Sequence, residues 1–211
     1  VGDEGGFAPN LGRSEEVLET IITSIEEIGL IYLDDISIAL DCAASELYQD
    51  NSYHLAGEGK KLSSDQMVEY ITELSKKYEI KSIEDPFDEG DWDSWKKFTK
   101  LNDNLQVVGD DIFVTQEEIL KKGIDENAAN SILIKLNQVG TLSETMRTIS
   151  LAKENNFGTV ISHRSGETED TFISDLAVAV DAKQIKTGAP ARSDRTAKYN
   201  RLLIIEDELY P

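Results

Sequence analysis

The sequence has little cysteine and little positive charge. Cys42 is the single cysteine among 211 residues. It cannot close an internal disulfide, which excludes a disulfide scaffold and points to a reducing compartment. Within IALDCAA it reads as a small buried hydrophobe rather than a nucleophile. Against 41 Asp and Glu there are 21 Lys and Arg, a formal net charge of -20. Such a surface repels nucleic acid and anionic membranes, so neither is expected as a partner. No apolar run is long enough to span a bilayer. The opening VGDEGGFAPN has no signal-peptide pattern, and its missing initiator Met points to a fragment or a processed chain. No GxGxxG follows the first strand, which counts against a dinucleotide fold.

What is present is a core and a rhythm. Hydrophobic residues make up 39% of the chain, which argues against wholesale disorder. A helix is expected from Ser14, with Val17, Leu18, Ile21, Ile22, Ile25 and Ile28 on one face and Gly29 as its stop. Residues 36–44 read as a buried strand, and the polar stretch 47–61 as an excursion or small hairpin. Its GEGKK is too short and misplaced for a phosphate loop. Ser63 with Gln66 predicts a capping box for a helix buried through Met67, Ile71, Leu74 and Tyr78. Strand and helix then alternate. Strands are expected at 80–87, 106–112, 131–138, 158–164 and 184–188, with helices at 92–102, after Thr115 and Glu118, after Thr141 and Glu144, at 172–180 and at 194–209. Such alternation implies a parallel sheet. The expected fold is a parallel (β/α)8 TIM-type barrel, incomplete, with about six strand–helix units; an open doubly wound sheet is the alternative.

Barrel enzymes place their chemistry at the carboxyl ends of the strands. Read in order, the first three ends are acidic: Asp41, then Glu84 and Asp85, then Asp110 and Asp111. The last three are cationic: Lys135, then His163 and Arg164, then Lys186. A lone acid at a strand end is commonly a cap or loop charge, but three on successive strands suit a hard cation such as Mg²⁺. A lysine inside ILIKLNQ is costly to bury without a partner or a task; a structural salt bridge to one of the acids is the plain alternative. SHRSGE could be an ordinary polar loop, yet Arg164 and Ser165 before a helix also make a plausible anion cradle. Two lysines, a metal and an acid fit proton abstraction next to a carboxylate. Glu4, in the glycine-rich opening, is the candidate acid.

The segments VGDEGGFAPN, ALDCAASE, SIEDPF, VGDDIFVT, ILIKLNQVGTLSET, VISHRSGETEDTFISDLAVA and QIKTGAPARSDRTAKYN together resemble the enolases, the phosphopyruvate hydratases of glycolysis. They span nearly the whole chain in family order, and SHRSGETEDTFI is the most specific. The resemblance implies a lyase acting on 2-phosphoglycerate to give phosphoenolpyruvate. Lys135 would be the base and Glu4 the acid; Asp41, Glu84 and Asp110 would hold the first Mg²⁺; Arg164 and Ser165 would bind phosphate, Lys186 carboxylate, and His163 would line the pocket. A second Mg²⁺ would arrive with the substrate. A lysine base with Mg²⁺ is the general chemistry of enolase-superfamily sites. The resemblance also implies a cytoplasmic protein, with a possible cell-surface pool, that is a homodimer at full length.

Residues 1–211 would be the carboxyl-terminal catalytic barrel domain, in part: family members carry an amino-terminal α/β domain and two further barrel strands before GDEGG. The six strands would then be the third to the eighth, placing SHRSG after the seventh, where barrels often bind phosphate. Residues 31–35 depart from the family's usual Gly/Pro-containing link, and Ile204 stands where arginine is common. The chain alone is expected to be poorly soluble or inactive, since missing strands leave open edges. Competing readings are another superfamily lyase acting on a sugar acid or muconate, and a non-catalytic surface or scaffold role.

Overall fold

The computed structural model describes residues 1–211, which divide into two compact units. One, the central unit, is Asn10–Phe113 with Lys121–Asn130; the other, the terminal unit, is Val1–Pro9, Val114–Leu120 and Ser131–Pro211. No helix is long and apolar enough to cross a membrane.

The central unit begins with α1 (Ser14–Glu27) and β1 (Ala39–Asp41). A three-stranded antiparallel sheet follows: β2 (Tyr48–Gln49), β3 (Ser52–Leu55) and β4 (Lys60–Leu62). Next come α2 (Ser64–Lys77), β5 (Ser82–Glu84), α3 (Trp92–Leu101), β6 (Gln106–Gly109) and α4 (Glu117–Glu126), whose residues from Lys121 on count with this unit. Strands β1, β5 and β6 are parallel in that order, with Ala39 opposite Ser82 and Ser82 opposite Gln106. The core is aromatic. Phe87 meets Tyr53, Trp95 and Phe98 edge-on at centroid distances of 6.4, 6.1 and 5.4 Å, and all four are fully buried. The Tyr53 hydroxyl donates to Asp91 Oδ2, which also accepts from Ser64 and Ser94, so one carboxylate ties β3 to the starts of α2 and α3.

The terminal unit holds β7 (Ser131–Ile134), α5 (Leu136–Val139), α6 (Leu142–Glu154), β8 (Gly158–Ser162), α7 (Phe172–Ala179), β9 (Gln184–Lys186) and α8 (Ser193–Leu209). Strands β7, β8 and β9 are parallel in that order, pairing Ile134 with Ile161 and Ser162 with Lys186. Ile132, Leu133, Ile134 and Ile161 are fully buried, as expected for parallel strands covered on both faces.

Five of the eight helices, drawn from both units, end in the same way. After α1, α2, α4, α6 and α7 one residue turns left-handed: Gly29, Glu79, Asn127, Asn156 and Asp181. The N–H of the next residue bonds back five positions: Leu30 to Ile25, Ile80 to Ser75, Ala128 to Gly123, Phe157 to Ala152 and Ala182 to Ala177. This is the Schellman pattern, with an apolar residue closing the helix end.

Several expectations meet corrections. The Ser63–Gln66 capping box forms in full, but Thr115 does not cap α4. Its hydroxyl instead donates to Gln138 Oε1 at 2.7 Å and accepts from the Lys135 N–H at 2.9 Å. The strand expected at 36–44 pairs over three residues only, and it is not buried: β1 is an edge strand with Ala39 and Asp41 exposed. The strand expected at 131–138 stops at Ile134, and Leu136–Val139 turns helical. On α1 only Leu18 and Ile25 are buried, while Val17, Ile21 and Ile28 are exposed by 39, 41 and 72%; the stripe is wider than the surface this chain sets against it.

The excursion is anchored by Glu58, inside the GEGKK segment. Its carboxylate accepts from the Ser14 N–H, the Ser14 hydroxyl and Tyr70, and pairs with Lys60 at 2.6 Å. Burial opposes its charge, but the bonds from Lys60, Ser14 and Tyr70 outweigh it and hold the carboxyl down at about 2. A depressed carboxyl adds stability above its unfolded pKa, about 4.3, and loses it as pH falls through the folded value. Glu58→Gln is expected to cost on the order of 2 kcal/mol at pH 7 and to flatten the loss of stability between about pH 5 and 2. Urea melts followed by Trp92 and Trp95 fluorescence, both in this unit, read the difference. Equal acid slopes for the two proteins would remove Glu58 as the anchor.

Candidate active site

Each unit carries one cluster of the strand-end residues. In the central unit the acids gather because β1, β5 and β6 run in register. Asp41 lies opposite Glu84, so both side chains share a sheet face, and Asp110 follows two residues after Val108, the partner of Glu84. Asp85 has a left-handed backbone, φ 42, which turns its carboxylate onto the next strand end. There it accepts the N–H groups of Asp110 at 2.8 Å and Asp111 at 2.9 Å. Ligand oxygens of Asp85, Asp110 and Asp111 lie within 4.8 Å of one another.

This crowding has an electrostatic cost. Burial pushes the Asp85 carboxyl up to about 7; the two backbone N–H groups offset part of that, and repulsion from Asp110 and Asp111 adds to it. Burial likewise pushes the neighbouring Cys42 thiol up to about 12, with Asp41, Asp85 and Glu84 adding repulsion, so it stays protonated. The donor set is entirely hard oxygen, and crowded negative charge of this kind is what a divalent cation relieves. The residues present therefore fit Mg²⁺.

The terminal unit gathers the rest. Lys135 is half-buried at the end of β7, its N–H held by Thr115, which is itself fully buried. Glu4 is brought across 161 residues of sequence to Ser165, whose hydroxyl donates to Glu4 Oε1 at 3.1 Å. His163 Nε2 lies 3.3 Å from Glu4 Oε2, within ion-pair reach but not aligned for a hydrogen bond, and so is a buried polar atom with an open valence. Its other nitrogen, Nδ1, contacts Arg195 Nη1. Burial pushes His163 down to about 4; Glu4 pulls the other way, while Arg195 and Lys186 push further down. The ring is neutral at pH 7. Arg164 is exposed and donates to Asn137 Oδ1 at 2.6 Å. Lys186 sits half-buried at the end of β9, its carbonyl accepting the His163 N–H at 2.9 Å.

The structure thus collects Glu4, His163 and Ser165 by direct contact, places Arg164 and Lys186 beside His163 in the chain and in the sheet, and sets Asp41 in register with Glu84. Sequence reasoning passed over Asp85 as a backbone clamp, Thr115 as the support of Lys135, and the buried cations Arg195 and Lys198. The last two are an Arg and a Lys three residues apart in SDRTAKYN, on an otherwise ordinary helix. Nothing in the sequence distinguishes them from solvated charges.

Comparison with known proteins places the chain in one family, and one of its curated relatives serves to measure the likeness. The family described as Enolase, C-terminal TIM barrel domain, matches residues 1–210. The curated protein Enolase from Natranaerobius thermophilus is 57% identical over all 211 residues. The chain covers 49% of that relative, so it spans about half the length of the curated protein it matches. The matched domain fixes the fold class: an incomplete parallel β/α barrel, with three parallel strands in each unit where a closed barrel has about eight.

Proposed function

Since this chain belongs to the enolase family, we propose that it is the carboxyl-terminal catalytic barrel domain of a carbon–oxygen lyase that dehydrates 2-phosphoglycerate to phosphoenolpyruvate. The observation that carries the reading is the meeting of Glu4 with Ser165 and His163, which puts a carboxyl group, a hydroxyl and an open imidazole nitrogen in one place.

The residues divide the reaction between them. Lys135 removes the C2 proton, and the electron pair moves onto the substrate carboxylate, which Lys186 binds. Glu4 gives a proton to the departing C3 hydroxyl as the C2–C3 double bond forms, releasing water. Arg164 and Ser165 hold the phosphate, Arg by charge-assisted bonds, and His163 closes the pocket wall. Asp41, Glu84 and Asp110 would hold Mg²⁺, with Asp85 fixing the backbone of Asp110. When bound, Mg²⁺ would supply positive charge against the negative charge developing on the carboxylate oxygens. The working protein is cytoplasmic and, at full length, a homodimer.

The test is phosphoenolpyruvate formation from 2-phosphoglycerate, followed by absorbance, with Mg²⁺ and with EDTA. The chain alone is expected to be silent. Combined with the amino-terminal half of the 57% identical relative, it is expected to turn over with Mg²⁺ and to stop in EDTA. Turnover that persists in EDTA, or none when the two halves are folded and associated, overturns the reading.

A further inference from the structure

Arg195 is fully buried at the start of α8, and its guanidinium reaches four acceptors. Nη1 donates to the Arg164 carbonyl at 2.7 Å and to His163 Nδ1. Nη2 donates to the Ser165 carbonyl at 2.6 Å and to the Asp3 carbonyl at 3.4 Å. Nε lies 3.1 Å from Asp194 Oδ2, out of hydrogen-bond alignment. A buried cation is costly, and a well-packed apolar side chain of similar size often stabilises a fold as well or better. The position of this one is informative, because its acceptors belong to the candidate site residues themselves or, in the case of Asp3, to the neighbour of Glu4. The rigid fork of an arginine can hold several acceptors at set angles; a lysine ammonium cannot.

We infer that Arg195 is a positioning residue: one guanidinium sets the carbonyls on both sides of the site and, by donating to His163 Nδ1, forces the His163 proton onto Nε2, the nitrogen that faces Glu4. The tautomer follows from donor inventory. Arginine has only donors and does not lose its proton, so Nδ1 must accept; the neutral ring then carries its hydrogen on Nε2. The charged groups around the ring are Glu4 from the opening loop, Lys186 from β9, Glu167 from the loop after β8 and Arg195 from α8. Glu167 is itself taken by the buried Lys198, at 3.0 Å. Lys198 also donates to the Thr168 and Asp194 carbonyls, so a second buried cation on α8 braces the same loop. The orphaned His163 Nε2 is thereby a donor kept free for a ligand oxygen near Glu4. The inference rests on the reading of Glu4, His163, Arg164 and Ser165 as site residues only for its meaning in catalysis; the tautomer stands apart from turnover.

The chain has two histidines, so ¹⁵N-histidine labelling of the full 211 residues and long-range ¹⁵N–¹H correlation resolve both rings, with His54→Gln as the assignment control. Between pH 6 and 8, within the range where His is otherwise poised to titrate, His163 is expected to show a protonated Nε2 and an unprotonated, hydrogen-bonded Nδ1. Arg195→Lys, which keeps the charge but loses the fork, is expected to move the Nδ1 resonance toward that of a free ring nitrogen while the chain still melts cooperatively. A His163 proton on Nδ1, or a His163 spectrum unchanged in a folded Arg195→Lys protein, overturns the inference. Should Arg195→Lys not fold, the wild-type spectrum decides alone: a cross-peak from the guanidinium to the His163 ring supports it, and its absence overturns it. No turnover of 2-phosphoglycerate by the two folded and associated halves, with the expected tautomer intact, would sink the functional reading and leave this one standing.

Discussion

Replacing Gly188 with alanine is expected to destabilise the terminal unit by about 2–5 kcal/mol, the sum of a left-handed alanine and an overpacked contact. Gly188 has φ +80, and a Cβ built there would lie 2.7 Å from Arg195 Cδ and 2.9 Å from the Glu4 carbonyl oxygen. Neither neighbour can yield cheaply. Arg195 is fixed at four acceptors, and the Glu4 carbonyl already accepts the Ala189 N–H at 2.9 Å. The Gly188 carbonyl is held too, by the Tyr199 hydroxyl. Gly140 is the control: its φ is +92, but nothing lies within 4 Å of a Cβ placed there. Gly140→Ala carries the backbone strain without the clash. Urea denaturation followed by circular dichroism compares the two, and equal midpoints would show that the crowding around Gly188 is relieved at no cost.

Lys135→Ala is expected to lower turnover of 2-phosphoglycerate, in the reconstituted enzyme, by at least about a thousandfold while leaving substrate affinity within a few-fold, because a general base acts on the barrier and not on the ground state. Exchange of the C2 hydrogen with solvent deuterium isolates the proton-transfer step from loss of the hydroxyl. The Lys135 backbone is pinned by Thr115, and the preceding strand Ser131–Ile134 is fully paired with β8, so truncation of the side chain should not move the strand. Activity within tenfold of wild type would assign the base elsewhere. A scaffold role would survive the substitution unchanged, so the same variant separates the two readings.

The α/β alternation and the nature of the strand ends were legible because both depend on short-range pattern. A run such as ILI at β7 must be covered on both faces, and Ser63 with Gln66 forms its capping box from local geometry alone. The extents of the strands were not legible. An apolar run at 36–44 does not reveal that β1 has one pairing partner and stays exposed, since that depends on neighbours far along the chain. Thr115 shows the same limit. Its spacing to Glu118 matches a cap, yet the hydroxyl is taken by Lys135 and Gln138, about twenty residues away, and tertiary contact wins over local propensity. Within the candidate site the residue types were visible, while the devices that aim them, Asp85 and Arg195, became visible only when their acceptors were in place.

The helix endings have a consequence for how this chain can vary. Of the five left-handed residues in these Schellman endings, only Gly29 is glycine. At Glu79, Asn127, Asn156 and Asp181 the stop is therefore carried by the residue that follows, which tucks its side chain inward and returns its N–H to the helix. The strained position itself is interchangeable among residues that bear about 1 kcal/mol of left-handed strain. Drift at these four sites would leave helix length and strand entry untouched, whereas a polar replacement of buried Ile80 or Phe157 would let the helix run on and shift the phase of the next strand.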